Sequence, residues 1–381
     1  MYFAFHLASF PMSKPQIIFM ATGAFAVPSM RRLWENGEFE IVGLVTTPLK
    51  YEKSGEPILT PARRFAAEVD LGIFETDNIH AQELFDFLYL VRPEHIFVCD
   101  FGRILPNSLL RAPLVGGINL HGSLLPKYRG AAPVHWAILN GDEYTGISVI
   151  QMTTQVDAGP VIAQSPPIPI GPHETTDELE KRLADYGAEL VLHTIRRLSG
   201  TETVKIIPQL ASEVSKAPKI KKEDGRIDWS RDSLAVFNHY RAMVSWPRSF
   251  TDWKRDNGSV LRLIVGPVQP LDDQLYELVE LPDYVEPRYV EPILTDAKMD
   301  NLAEIQWAAR KKESGELERS LSGRLESWKP GVVIEASGNR LIVAAGEGAV
   351  RILQIQPAGK RPMDAEAFLR GYPIKPGDRF V

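Results

Sequence analysis

Apolar runs and amphipathic stretches alternate through the first half of the chain. QIIFMAT (16–22), FEIVGLVTTP (39–48), LGIFET (71–76), HIFVCDF (95–101), GGINLH (116–121) and GISVIQMT (146–153) read as strands. Between them AVPSMRRLWENG (26–37), TPARRFAAEVD (60–70), AQELFDFLYLVRP (81–93), NSLLRAP (107–113) and APVHWAILNG (132–141) read as helices. Gly37 closes the first helix, and Thr60 with Pro61 marks a helix start. GPVIAQSPPIPI (159–170) reads as a hairpin partner of the strand before it, and residues 175–200 as one long amphipathic helix. Thr175 and Glu178 form a capping-box pair at its start, and Gly200 follows its end. Strands and helices alternating at this spacing predict an α/β fold: a Rossmann-like, doubly wound, mostly parallel sheet over 16–200.

After residue 200 the pattern changes. Residues 201–222 hold no sustained period, two prolines and a basic tail, and read as a linker. One helix (233–245) and then short alternating runs with turn signals at Ser-Gly-Asn and Gly-Glu-Gly predict a small C-terminal β-barrel, OB-like, over 223–381. Residues 271–329, acidic and then helical in pattern, read as an insertion in it. Residues 1–15 read as an N-terminal extension rather than a signal peptide, because an early basic region and a cleavage site are lacking.

Composition changes this picture little. No apolar run approaches the ~20 residues of a membrane span, and the single cysteine, Cys99, rules out a disulfide framework and fits a reducing cytoplasm. Charge is more informative. The net charge is −6, but residues 206–269 with 330–381 carry 18 Lys and Arg against 12 Asp and Glu, while 270–329 carries 8 against 14. A locally basic C-terminal part is compatible with RNA contact.

Several chemistries are absent from the sequence. ATGAFAVP after the first strand is not G-x-G-x-x-G, and no Walker A, H-E-x-x-H or G-x-S-x-G occurs. DFG at 100–102 stands without the other kinase signatures, and no histidine pair has metal-ligand spacing. Asn119 and His121 remain, two apart and so on one face of a strand that ends there. An amide donor beside an imidazole suits a carbonyl oxygen that becomes an oxyanion. Asp157, in the loop after the next strand, is a carboxylate within reach of orienting that histidine. With no serine or cysteine nucleophile in such a motif, the set suggests direct transfer to a substrate that brings its own nucleophile.

INLHGSLLPKYRGAAPVHWAILNGD (118–142), TGISVIQM (145–152) and DAGPVI (157–162) resemble the folate-dependent formyltransferases. IIFMATGAFAVPSM, ILTPARR, GRILP, APKIKKEDGRIDWS, SWPRSF and the final VRILQIQPAGKRPMDAEAFLRGYPIKPGDRF are similar to the branch that acts on methionyl-tRNA. The resemblance implies transfer of the formyl group of 10-formyltetrahydrofolate to the α-amine of methionyl initiator tRNA, with no metal, in a cytoplasmic monomer. It implies Asn119, His121 and Asp157 as catalytic residues, and Ser123, Leu124, Leu125, Pro126, Ile104 and Leu105 around the folate. It also implies tRNA contact through Lys50, Lys53, Arg129, Lys219, Lys221 and Lys222. The chain departs from the family in four places: Glu52 and Glu56 dilute the basic loop 49–58, His-Gly-Ser replaces the commoner His-Ala-Ser, Asp100 stands where Ala is frequent, and the acidic insertion 271–329 has no familiar counterpart. A sugar N-formyltransferase is the rival enzyme reading, and a catalytically dead RNA-binding relative the non-enzyme one.

Overall fold

The computed structural model describes residues 14–200, 203–255, 257–271 and 328–381. The N-terminal extension and the acidic insertion expected from the sequence thus lie almost wholly outside the described residues. Two compact units emerge: 14–133, 146–167 and 180–217 form the first, and 134–145, 168–179 and the chain from 218 onward form the second.

Through residue 199 the elements are β1 (Gln16–Ala21), α1 (Val27–Asn36), β2 (Glu40–Thr46), a short hairpin of β3 (Lys50–Tyr51) and β4 (Pro57–Ile58), α2 (Pro61–Glu68), β5 (Ile73–Glu75), α3 (Gln82–Val91), β6 (His95–Cys99), α4 (Asn107–Leu110), β7 (Gly116–His121), α5 (Pro133–Leu139), β8 (Tyr144–Thr145), β9 (Ser148–Gln151), β10 (Val161–Gln164), β11 (Ile168–Pro169) and α6 (Thr176–Ser199). Seven strands of the first unit pair in the order β10-β9-β7-β6-β1-β2-β5. Every pairing from β7 to β5 is parallel, and β9 and β10 add an antiparallel edge. β1 and β6 are buried almost throughout, which is why they read as unbroken apolar runs. Phe19 and Phe97 meet edge to face between them, ring centroids 6.0 Å apart. The strand order turns back between β1 and β6, and such a turning point opens a crevice at the carboxyl ends of the strands.

Helix ends follow the local signals, with one difference. Gly37 closes α1 in the left-handed region, φ 71°. Thr60 occupies the cap position of α2, but its hydroxyl makes no capping bond and is buried without a partner. At the start of α6, Glu178 accepts from both the amide and the hydroxyl of Thr175, at 2.9 and 2.7 Å. Helix α6 lies close on β7: a Cβ at Gly187 would come within 2.6 Å of the Leu120 side chain. Leu120 therefore faces α6, and Asn119 and His121 project from the opposite face of the sheet.

The stretch 203–217, read from the sequence as part of a linker, pairs with the first unit. Ile207 bridges to Val161 and Lys216 to Arg129.

In the second unit follow α7 (Ser233–Ala242), β12 (Phe250–Lys254), β13 (Val260–Val265), β14 (Val268–Pro270), β15 (Val333–Ser337), β16 (Arg340–Ala344), β17 (Ala349–Ile352), β18 (Gln354–Pro357), β19 (Met363–Asp364), α8 (Ala365–Gly371) and β20 (Arg379–Phe380). They build an antiparallel five-stranded sheet, β19-β18-β13-β12-β20, and a four-stranded one, β14-β17-β16-β15; β8 and β11 pair separately. One core joins both sheets to the helices, with Trp229, Trp253, Phe237, Phe368 and Phe380 as its largest members. Asp232 and Asp364 cap α7 and α8, each accepting a backbone amide at 2.6 Å.

Candidate active site

β7 delivers Asn119 and His121 to the carboxyl edge of the parallel sheet. Asn119 is half-buried, and among the described residues its carboxamide makes no hydrogen bond. His121 is buried, with 5% of its surface exposed. Its Nε2 lies 2.9 Å from the carbonyl of Tyr128. A carbonyl only accepts, so Nε2 carries a proton in either charge state of the ring. The other nitrogen, Nδ1, lies 3.6 Å from Oδ2 of Asp157. That is beyond hydrogen-bond length but within ion-pair reach.

Asp157 sits in the loop between β9 and β10 with φ 50°, in the left-handed region. Its Oδ2 accepts the amide of Gly130 at 2.8 Å. Gly159, two residues on, is required: a Cβ there would stand 1.7 Å from the carbonyl oxygen of Gln151. Gly130 is required too, with φ 132° and space for a Cβ blocked by the carbonyl oxygen of Ala217 at 2.3 Å. Tyr128 and Gly130 thus present a carbonyl to His121 and an amide to Asp157 from one turn of chain.

The loop after His121 is built as a self-bonded unit. Ser123 is fully buried; its hydroxyl donates to the carbonyl of Lys127 at 2.6 Å. Ser148 on β9 accepts the amide of Leu125 at 3.0 Å and donates to the carbonyl of Ser123 at 2.7 Å. Gln164 on β10 donates to Ser148 and to the carbonyl of Leu125. Leu125 packs with Ile150 and Val161, Leu124 and Pro126 are half-buried, and the Leu125–Pro126 peptide is cis. In the loop after β6, Leu105 belongs to the core with Ile18, Met20 and Leu109, while Ile104 is 64% exposed. Among the residues expected around a folate, Ile104 presents an exposed apolar side chain, whereas the side chains of Ser123 and Leu105 are committed to the fold.

Asp100 follows β6 at the turning point of the strand order, with φ 51°. The residue is solvent-exposed as a whole, but its carboxylate is recessed over the end of β1, and a Cβ at Gly23 would stand 1.5 Å from its Oδ2. Desolvation pushes this carboxyl above the ordinary range, partly opposed by a hydrogen bond from the Phe25 amide. Burial also pushes the Cys99 thiol well up, so it is a packing residue.

The expected RNA contacts fall in different places. Lys50 and Lys53 are exposed on the β3–β4 excursion, and Lys219, Lys221 and Lys222 are exposed in the second unit. Arg129 is half-buried, and its Nε donates to Gln209 at 2.9 Å. Among the described residues no cluster of three or more His, Cys, Asp and Glu is placed to hold a metal ion, and no helix is long and apolar enough to cross a membrane. Gln209, Ser148, Gln164 and Ser215 escaped the sequence reading. Each is a common polar residue outside any motif, and only the fold shows which carbonyls and amides it meets.

Residues 16–195 match the formyl transferase family, and 219–274 with 301–373 match its C-terminal domain. A methionyl-tRNA formyltransferase of Citrifermentans bemidjiense is 31% identical over 369 residues, 96% of each chain. One of Halothermothrix orenii is 32% identical over 365 residues, 95% of this chain and 99% of the other. Among solved structures, an N-formyltransferase of Helicobacter canadensis, in complex with folinic acid and dTDP-3-aminofucose, superposes with a TM-score of 0.56 at 15% identity, over 89% of this chain and 98% of that one. HypX of Aquifex aeolicus, in complex with tetrahydrofolic acid, gives 0.55 at 15% identity, over 97% of this chain and 51% of that one. Similarity along both parts of the sequence, on a mixed sheet ending in Asn119 and His121, places the chain in the methionyl-tRNA formyltransferase family.

Proposed function

We propose that this chain formylates the α-amine of methionyl initiator tRNA, with 10-formyltetrahydrofolate as donor, for translation initiation in the cytoplasm. The observation that carries the reading is the unspent Asn119 carboxamide on the same strand face as His121, whose Nε2 is bonded to Tyr128 and whose Nδ1 faces Asp157, on a chain similar over 96% of its length to an enzyme of that name.

A flat pterin calls for apolar contact and a few polar groups. Ile104 and Val156 leave apolar side chains exposed in the loops after β6 and β9, and Asn119 has an amide to offer. The residues present therefore fit a folate, which supplies the formyl carbon as a carbonyl open to attack. Asn119 donates from its amide nitrogen to the formyl oxygen as it gains negative charge. His121 donates from Nδ1, because Nε2 is already spent on Tyr128. The Tyr128 carbonyl holds the imidazole before reaction, so little reorganisation of that donor opposes charge development. Asp157, at 3.6 Å from the imidazole, takes the proton shed as the amine nitrogen bonds to the formyl carbon; the bond from that carbon to N10 of the folate then breaks and the proton passes to N10, so that tetrahydrofolate leaves.

The test is formyl transfer from 10-formyltetrahydrofolate to charged initiator tRNA, with elongator methionyl-tRNA and a UDP-aminosugar as parallel acceptors. Transfer to the initiator alone is expected. Transfer to the sugar amine without transfer to tRNA would overturn the acceptor assignment and leave the Asn-His-Asp chemistry standing.

A further inference from the structure

Between residues 207 and 217 the chain runs beside the two loops that orient His121 and Asp157. Ile207 exchanges two backbone hydrogen bonds of 2.8 Å with Val161 on β10. From there Gln209 spends its whole carboxamide on the site loops. Its Nε2 donates to the carbonyl of Asp157 at 2.8 Å and to that of Gly159 at 2.6 Å. Its Oε1 accepts from Nε of Arg129 at 2.9 Å. Further on, the hydroxyl of Ser215 accepts the amide of Tyr128 at 2.8 Å, and its carbonyl accepts the amide of Arg129 at 2.9 Å. The Ala217 amide then donates to the carbonyl of Arg129 at 2.7 Å.

The Ser215 and Ala217 bonds end one or two atoms from the groups that matter, and the Gln209 bonds end on the backbone of Asp157 itself. The Tyr128 carbonyl is the acceptor for His121 Nε2, and the Gly130 amide is the donor to Asp157 Oδ2. Asp157 holds a left-handed conformation, φ 50°, that non-glycine residues adopt uncommonly. Such a conformation persists only where surrounding bonds dictate it. The Gln209 amide is the side chain that ties the Asp157 and Gly159 carbonyls together and joins them to the loop carrying Arg129.

We propose that Gln209 is a positioning residue for the transfer reaction: by tying the Asp157 and Gly159 carbonyls to Arg129 it holds the Asp157 carboxylate facing His121 Nδ1. The inference rests on the reading of His121 and Asp157 given above. Gln209 touches neither substrate nor reacting atoms, and it acts only through Asp157.

The decisive comparison is Gln209→Glu. Glutamate keeps the shape and an acceptor for Arg129, but it turns a carboxylate oxygen toward two carbonyls that need a donor. In steady-state transfer to initiator tRNA, Gln209→Glu is expected to lower kcat about 10- to 100-fold, the size of effect that misplacing a catalytic group by an ångström produces. KM for both substrates should stay within about threefold, and the acid limb of the kcat–pH profile should move. In an Asp157→Ala background the same change should cost nothing further, because a residue that works only through Asp157 has nothing left to position. Gln209→Met, of similar length and without polar atoms, serves if the glutamate variant does not fold, and the same pattern is expected of it. Full kcat in the Gln209 variants beside a crippled Asp157→Ala would overturn the positioning role alone. So would losses that multiply in the double variant, since they would mean a general structural effect. Full activity in Asp157→Ala would overturn the reading of the site and the positioning role with it.

Discussion

His121 has one nitrogen committed within the fold and one facing Asp157, and that asymmetry follows from a single carbonyl, that of Tyr128. On the proposed mechanism, replacing His121 by Ala, or Asn119 by Ala, removes one donor to the developing oxyanion. Each is expected to lower kcat by about 10²–10³ with little change in the acceptor KM, measured by single-turnover transfer. His95 lies away from the site, at the start of β6. It is fully buried, its Nε2 lies 2.9 Å from the Ser199 hydroxyl, and its Nδ1 has no partner. Burial lowers its pKa to about 4. The fold therefore favours the neutral ring, and the stability this brings is complete above the unfolded value near 6.5 and is lost as pH falls from there toward 4. The loss amounts to about 3 kcal/mol over that window. Urea melts of the wild type and of His95→Gln at pH 7 and pH 4.5 check this, the variant showing the shallower acid dependence.

Elements place the site by bringing together strand ends far apart in sequence. β7 supplies the Asn-His face, and the loop between β9 and β10 supplies Asp157. The turn at 128–130 joins them only because 215–217 pairs beside it. Gly130 is the tightest point of that join. Gly130→Ala puts a methyl group against the Ala217 carbonyl in a conformation that L-residues avoid. It is expected to cost more than about 2 kcal/mol of stability and to disable transfer, read as a fall in melting temperature together with loss of kcat. The sheet's strand pattern and helix stops were legible from periodicity and punctuation. The turn's pairing with 215–217 was not, because that stretch has no period and reads as linker from composition.

Across the chain, the residues proposed for transfer, Asn119, His121 and Asp157, lie in the first unit together with Lys50, Lys53 and Arg129, while Lys219, Lys221 and Lys222 are exposed in the second. If these lysines meet phosphates, replacing all three by Ala should raise the acceptor KM and flatten its dependence on salt. The slope of log affinity against log salt should fall by up to about 3, with kcat at saturating tRNA unchanged. The same triple variant should leave the donor KM where it was.

The alternation of buried strands with amphipathic helices, the antiparallel C-terminal part and the Asn-x-His strand end were all readable from the sequence. They depend on local periodicity and on residues adjacent in the chain, which a linear reading preserves. The orientation of the His121 ring was not readable, because its neighbours are a carbonyl seven residues away and a carboxylate from another loop. Nor was the commitment of Ser123 and Leu105 to loop and core, or the role of Gln209 between Arg129 and Asp157. Hydrogen bonds and close contacts between segments distant in sequence leave no periodic trace, so folding alone assigns those side chains their partners.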